Sequence, residues 1–548
     1  MARTKTTRTV ATPEEKTHHR QVLEALSGLI SGMFVAILAG TVVSTSLPVI
    51  VADLGGDQTA YTWIVVSTLL ATTVSTPIWG KLADLVDRKL LIQIALVIFV
   101  LGSALAGFSQ NSETLIAFRV IQGLGAGGLT ALVQVAIADI ISPRERGRYM
   151  GLIGAVMAVA TVGGPLLGGV VTDGLGWRWN FYIALPIAVA ALILIQRTLH
   201  LPKRSGKVTI DYLGAGLIAS GVSLLLIWVS LGGKQFEWNS LTSWIMIIGT
   251  VVLLAAAVTV ELKVKEPIIP MELFRNRTFV LAVIASLSVG VAMFGTSVFL
   301  SQYFQLARGN TPTESGLLTL PMVLGLFIAS TVVGTIISRT GHWKRWMVTG
   351  SILLATGLGL MGTLRYDTPY GLMSVFMALM GLGIGMTMQN LVLVTQNSLK
   401  ASQLGAGSST VTFFRSLGGT IGVAALGTVL GARVGDLIEE KLAALGIPAG
   451  AVGDSGTAIP DLSTLPEPVR IAVESAYGEA VGFVFLIAAP LALVTIVAIA
   501  LLPNIPLGSK NAVQQLQEER GSLLAEVSAN DIGSTTTATG SVRTIDRT

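Results

Sequence analysis

Runs of about twenty apolar residues recur along this chain between residues 27 and 502, and no other feature of the sequence restricts the fold so severely. A helix of that length crosses the hydrocarbon of a bilayer. In hydrocarbon, every backbone N–H and C=O must find its partner inside the protein. The runs read as transmembrane helices near 27–51, 61–81, 90–109, 115–138, 148–172, 179–197, 212–232, 243–262, 278–301, 314–337, 346–364, 371–395, 404–431 and 479–502, fourteen in all. Only 12% of the residues are charged, about half the share usual for a soluble domain. The expected fold is all-α and integral to the membrane.

Charge placement sets the expected orientation. Alternate loops hold basic clusters: Lys81, Arg88 and Lys89; Arg144, Arg146 and Arg148; Lys203, Arg204 and Lys207; Lys263, Lys265, Arg275 and Arg277; Arg339, Lys344 and Arg345. The opposite loops hold mostly single cations, Arg178, Lys234, Arg308 and Arg365. Positive residues stay cytoplasmic, so both termini are expected inside, in a multi-pass protein of the cell inner (plasma) membrane. Met1 to Leu26 is polar and basic without the outline of a cleaved signal peptide, so the first apolar run is expected to be retained. The net charge of +5 is spread over these loops, which excludes a nucleic-acid-binding patch. There is no cysteine and there are four histidines, so neither a metal site nor a cofactor is expected. No glycine-rich phosphate loop ending in Gly-Lys-Ser/Thr occurs, which argues against direct drive by ATP. A polytopic membrane enzyme or sensor would show clustered acids or histidines at one membrane face, and none is evident.

The expected organisation is a cytoplasmic arm (1–26), a six-helix bundle (27–197), two inserted linker helices with cytoplasmic flanks (198–277), a second six-helix bundle (278–502) and a cytoplasmic tail (503–548). The second bundle includes an external loop, 432–478, with an amphipathic helix at Val434 to Leu445. The tail ends in a Ser/Thr-rich stretch that is expected to be disordered. The loop after the second span, Gly80 to Lys89, has a weak counterpart at Gly334 to His342 after the tenth. Parallel repeats around a central site produce such a pattern.

Four segments carry distinctive residues. In Gly80 to Lys89, glycine permits a close helix approach, and Asp84 can pair with Arg88 or with the end of another helix. In the fourth span, Arg119 precedes Gln122 and the small residues Gly123, Gly125, Gly127 and Gly128. A guanidinium there is costly unless it faces protein or water, although snorkelling to the near membrane face is open to it. In the fifth span, Gly164, Pro165, Gly168 and Gly169 make a flat, bent helix face, which generic packing would also favour. The first span reads Leu38, Ala39, Gly40, Thr41, Val42, Val43, Ser44, Thr45, Ser46, Leu47, Pro48.

Together these segments resemble the fourteen-helix drug:proton antiporter group of the major facilitator superfamily, over nearly the whole chain. The resemblance implies a six-plus-two-plus-six arrangement of spans. It implies that the loop holding Asp84 and Arg88 is a gate latch of the outward-facing state, that Arg119 is tied to proton coupling, and that the Gly164–Gly169 segment is the export signature. The chain departs from the family pattern at Asp87, where glycine is usual, and at Ala39, where a first-span acid is usual. Glu314, at the outer start of the tenth span, is the preferred substitute for that acid; a charge placed at a helix N-terminus is the alternative reading.

Arg415 lies near the middle of the thirteenth span with no acid nearby in sequence, either hydrogen-bonded to neighbouring helices or engaged with a ligand. Thr41, Thr45, Gln122, Phe294, Gln389, Asn390 and Phe414 are the candidate cavity residues. The function expected is secondary export of amphiphilic or hydrophobic compounds, such as antibiotics, by alternating access and coupled to protons. Export of lipids or lipid-like metabolites is the second reading. The partners expected are a small amphiphilic substrate, protons and membrane lipids, with the protein a monomer.

Overall fold

The structure is a computed structural model, and it describes residues 13–55, 58–142, 174–199, 211–233, 235–447 and 465–508, with scattered positions between 149 and 172 and at 514. Its main helices are α1 (Pro13–Asp53), α2 (Gln58–Leu85), α3 (Arg88–Gly107), α4 (Ser112–Ile140), α5 (Ala184–Thr198), α6 (Tyr212–Leu231), α7 (Leu241–Glu261), α8 (Arg277–Gln302), α9 (Leu320–Thr340), α10 (Lys344–Met361), α11 (Tyr370–Asn397), α12 (Leu404–Ala444) and α13 (Glu467–Leu501). Among the described residues, twelve helices are long and apolar enough to cross a membrane. Helix α10 has 18 residues but opens on Lys344 and Arg345, which dilutes its apolar character. The expected fifth span, 148–172, lies largely outside the described residues.

The helices start where the sequence supplies caps. Side chains of Asp87, Asn111, Asp211, Ser240 and Asn276 accept first-turn amides of α3, α4, α6, α7 and α8. Asp87 caps α3 at a φ of −56°, a conformation open to any residue, so the turn does not need glycine.

Two large apolar cores hold the bundle. One is drawn from α1, α2, α3, α4 and α5 and includes Leu26, Leu29, Ala39, Phe99 and Ile195. The other is drawn from α8 through α13 and includes Phe299, Tyr303, Met377, Met380 and Phe485. A third, smaller core joins α6 and α7 to both, through Val74 on α2 and Phe413 and Leu417 on α12. On α7, Leu241, Ile245, Val251 and Val252 stand more than half exposed along the outer face. An apolar stripe of that length suits lipid as its solvent.

Four boundaries differ from the sequence expectation. Helix α1 begins at Pro13, not near residue 27, because Val22, Leu26 and Leu29 continue its buried face. The amphipathic helix expected at 434–445 is continuous with α12, and Val434, Leu437, Ile438 and Leu442 join the second core. Helix α13 starts at Glu467, so much of the expected external loop is helical extension, tied by Lys441 Nζ to Glu479 at 2.9 Å. The tenth span starts at Leu320, after a separate short helix, Pro312–Leu318.

Glycines set the closest crossings. A Cβ on Gly290 of α8 would collide with the carbonyl of Arg415 on α12, whereas a Cβ on Gly359 of α10 would meet nothing. Gly290→Ala is expected to destabilise the protein by about 1–3 kcal/mol, the usual cost of overpacking. Gly359→Ala should be neutral or stabilising by roughly 0.5–1 kcal/mol. Thermal unfolding of the two purified variants in detergent separates these outcomes.

Candidate functional site

The two halves of the bundle meet where α2 ends and α12 begins. Gly80 and Gly405 face each other there, and a Cβ on either would collide with the opposite helix. That approach delivers the Asp84 carboxylate to the first turn of α12, where it accepts from Gly405 N at 2.9 Å and Ala406 N at 2.8 Å. These amides have no intrahelical acceptor, and they form the positive end of a 41-residue helix. Asp84 also accepts from Arg88 Nη2 at 3.3 Å, while Arg88 Nε donates to Ala83 O at 2.8 Å. The same guanidinium pairs with Asp139 at the end of α4. Arg88 and Asp139 are buried, so one cation is held between two carboxylates out of water.

A second contact between the halves lies beside the first. Gln134 on α4 donates to Gln389 Oε1 on α11 at 3.3 Å. Gln396 donates to Gln134 O at 3.4 Å and to Ser408 Oγ on α12 at 2.7 Å. Ala138 packs against Leu404 and Leu399 across the same seam. The end of the bundle marked by the basic loops is therefore shut by charge, amide and apolar contacts together.

Arg119 lies toward the opposite end of α4. Its Nη1 donates to Gln122 Oε1 at 2.8 Å and its Nε to Ile64 O on α2 at 3.3 Å. The side chain is buried inside the first half and does not snorkel. Arg415 is ten residues beyond Gly405 on α12, roughly 15 Å along the axis. It is 5% exposed, and its Nη1 is buried with no partner among the described residues.

The other sequence candidates divide between packing and the seam. Thr41 donates to Ala160 O at 3.1 Å, and Gly164 and Gly168 lie against Thr41 and Val42, so this face of the fifth span packs on α1. Gly169 is half-buried, and Pro165 and the Thr45 side chain lie outside the described residues. Asn390 Nδ2 donates to Met386 O on its own helix at 2.7 Å. Phe294 is half-buried against Gly419, and Phe414 stacks edge-on with Phe413 at 5.1 Å. Ala39, in place of the usual acid, is 1% exposed within the first apolar core.

Glu314 is not brought to the seam. It forms a capping box with Thr311, accepting from Thr311 N at 2.9 Å while Thr311 Oγ1 accepts from Glu314 N at 3.2 Å. The exposed carboxyl is held below the ordinary carboxylate range, first by the Thr311 backbone hydrogen bond. The geometry matches the helix-terminus reading of this residue. Sequence reasoning did not join Asp139 to Arg88, or Gln134 to Gln389, Gln396 and Ser408. It also missed the buried Ser46, Thr172 and Asn180 network, in which Asn180 Nδ2 reaches Ser46 Oγ at 2.6 Å and Thr172 Oγ1 at 2.7 Å. The signal in each case was a polar side chain within an apolar run.

Two outcomes follow from this geometry. Because the chain has no cysteine, Ala138→Cys introduces a single thiol into the closed seam. Adding Asp84→Asn is expected to raise its labelling rate by a hydrophilic maleimide about tenfold, the factor equivalent to ~1.4 kcal/mol. For Glu314, a depressed pKa means that its stabilisation is present above the ordinary carboxylate range and is lost as pH falls through the lowered value. Glu314→Gln should therefore leave the transport rate and its pH profile near neutrality unchanged, as measured in reconstituted vesicles.

The Major Facilitator Superfamily pattern matches residues 29–423. The chain is 38% identical over 421 residues to the multidrug transporter protein MdtP of Bacillus subtilis (strain 168), covering 76% of this chain and 77% of that one. It is 32% identical over 472 residues to multidrug resistance protein 3 of the same organism, covering 84% and 91%. Its fold is similar to that of the proton:xylose symporter XylE, with a TM-score of 0.58 at 13% identity over 91% of this chain and 99% of that one. The human organic anion transporter MFSD10 aligns with a TM-score of 0.56 at 15% identity, over 86% and 99%. These likenesses fit the two cores and the seam between them: the chain is a multi-pass membrane transporter, not an enzyme, and it belongs to the major facilitator superfamily.

Proposed function

We propose that this protein is a secondary exporter of amphiphilic, largely hydrophobic compounds, working by alternating access and coupled to protons. It lies in the plasma membrane with both termini cytoplasmic, as the loop charges favour. Counting the fifth span and α10 with the twelve apolar helices gives fourteen, in six-plus-two-plus-six order. The bundles are 27–197 and 278–502, and the inserted pair lies within 198–277. The names of the bacterial relatives, a multidrug transporter and a multidrug resistance protein, support efflux of this substrate class. In this orientation the Asp84 contact with α12 is a cytoplasmic latch, and the structure is an outward-facing state.

The observation that carries the substrate reading is Arg415. Its guanidinium is buried near the middle of the expected thirteenth span, 404–431, with an orphaned Nη1. No Asp or Glu lies near the middle of any expected span to neutralise it. A buried cation without a counter-ion is costly, and an anionic or strongly accepting group on a substrate would relieve that cost. Neutral and anionic aromatic compounds suit Arg119, Arg415, Gln389 and the half-buried Phe294 and Phe414 better than multivalent cations do.

Susceptibility of cells overproducing the protein tests the proposal. Resistance to amphiphilic drugs is expected, and a protonophore should abolish it. Arg415→Ala should lower efflux of anionic compounds about tenfold or more while sparing neutral ones of similar size, a difference of at least ~1.4 kcal/mol. Vesicles that show no exchange of protons for substrate would remove the coupling. Equal loss of anionic and neutral efflux would remove Arg415 from recognition.

A further inference from the structure

The inserted hairpin carries a buried polar pair that the transport reading does not use. Asp211 caps α6 with Oδ1, which accepts from Gly214 N at 2.8 Å, and its Oδ2 is buried without a partner among the described residues. Glu261, the last residue of α7, accepts from Ile269 N with Oε2 at 3.1 Å, and its Oε1 is likewise buried without a partner. The two residues are 8% and 3% exposed. Both orphaned oxygens crowd the same face of Gly214, where a Cβ would run into each of them. The missing side chain at 214 is what lets two carboxylates from different helices converge there.

Two ionised carboxylates cannot satisfy each other. Both are acceptors only, and their repulsion grows as water is excluded. A single proton changes the arithmetic: it makes one oxygen a donor to the other, satisfies both orphaned atoms and removes one of the two charges. We propose that Asp211 and Glu261 share one proton and form a proton-binding site at the foot of the inserted hairpin.

The surrounding charges leave that proton in place. Among the described residues, the cation acting on Glu261 is Lys81 of α2, and its Nζ is already bonded to Glu266 at 2.7 Å. Lys263 and Lys265, in the connection after α7, are exposed. The first ten residues of α6 and of α12 carry no charge. Lys81 lies one turn before Asp84 on α2. A doubly ionised pair would compete with Glu266 for Lys81, so loss of the proton is felt at the seam between the halves.

The site does not depend on the transport reading, and its test does not measure transport. Infrared spectra of the purified protein at neutral pH are expected to show a protonated-carboxyl C=O band. Asp211→Asn and Glu261→Gln should each remove it when introduced separately. Asn still caps α6 and Gln still accepts from Ile269, so both variants keep the local hydrogen bonds. The folded wild type binds the shared proton more tightly than the unfolded chain does. Its thermal midpoint should therefore be highest at acid pH and fall as pH rises from the ordinary carboxylate range to the pH at which the folded pair releases the proton, with a flatter profile for Glu261→Gln over the same interval. Wild-type and variant spectra that match, together with parallel pH profiles, would overturn the proposal. So would a midpoint raised by sodium or potassium at fixed pH in the wild type alone, which would make the pair a metal-cation site.

Discussion

Inside a bilayer, a polar group that finds no partner within the protein has no water to fall back on, and this constraint arranges the charges of the bundle. In the cluster of Asp84, Arg88 and Asp139 at the seam they are all committed. Arg88 lies between Asp84 and Asp139, and Asp84 completes its valence with the free amides of α12. Arg119, deeper in the first half, is held by an amide and a backbone carbonyl. Against that background the exceptions stand out: Arg415 Nη1, Asp211 Oδ2 and Glu261 Oε1 are buried and unmatched. They lie on the long helix shared by the seam and on the inserted hairpin.

The contacts that shut the basic end are strong singly and reversible together. Hydrogen bonds from a carboxylate to helix-terminal amides are each worth about 1.5–3 kcal/mol net. Asp84 makes two of these, and three glutamines and a serine add weaker neutral ones. Opening would expose these groups at the membrane face, where water can replace the lost partners. The cost of opening is thus a few kcal/mol, within the range that differential binding of a ligand can shift. Burying the same groups at mid-membrane would have locked the halves together. Their place near the helix ends keeps the contact reversible.

Much of this is legible in the chain itself. Helix after helix was written by apolar run length alone, and the Gly80–Lys89 segment announced a close crossing with an acid at its rim. What could not be read was pairing across long sequence separations. Gln134 and Gln389 were each visible as costly amides, yet nothing local said that each was the other's partner. Arg119 offered the same ambiguity, since one turn of distance from the membrane face permits snorkelling or burial, and only the position of Ile64 on α2 decided it. Glu314 was open to two readings because an acid beside a proline at a span edge has two uses. Thr311, three residues earlier, was the sign of a capping box. The extension of α12 beyond the membrane followed from Val434, Leu437, Ile438 and Leu442, whose spacing carries on the buried face without a break.

The inserted hairpin is the part of the architecture with most to explain. Its apolar core is shared with Val74 on one half and with Phe413 and Leu417 on the other, so it bridges the same two helices that Asp84 joins. The connection after α7 reaches further in both directions. Glu266 holds Lys81 on α2, while Leu273 packs with Phe279, Val392 and Val411 of the second half. A strap fixed to both sides of a seam resists its opening unless one attachment can be released. Of the two, the buried apolar contact is insensitive to charge, and the part-buried Lys81–Glu266 pair is the one that a change of charge can alter. Asp211 and Glu261 lie beside that attachment, where a change of one unit of charge acts on the charged one of the two anchors.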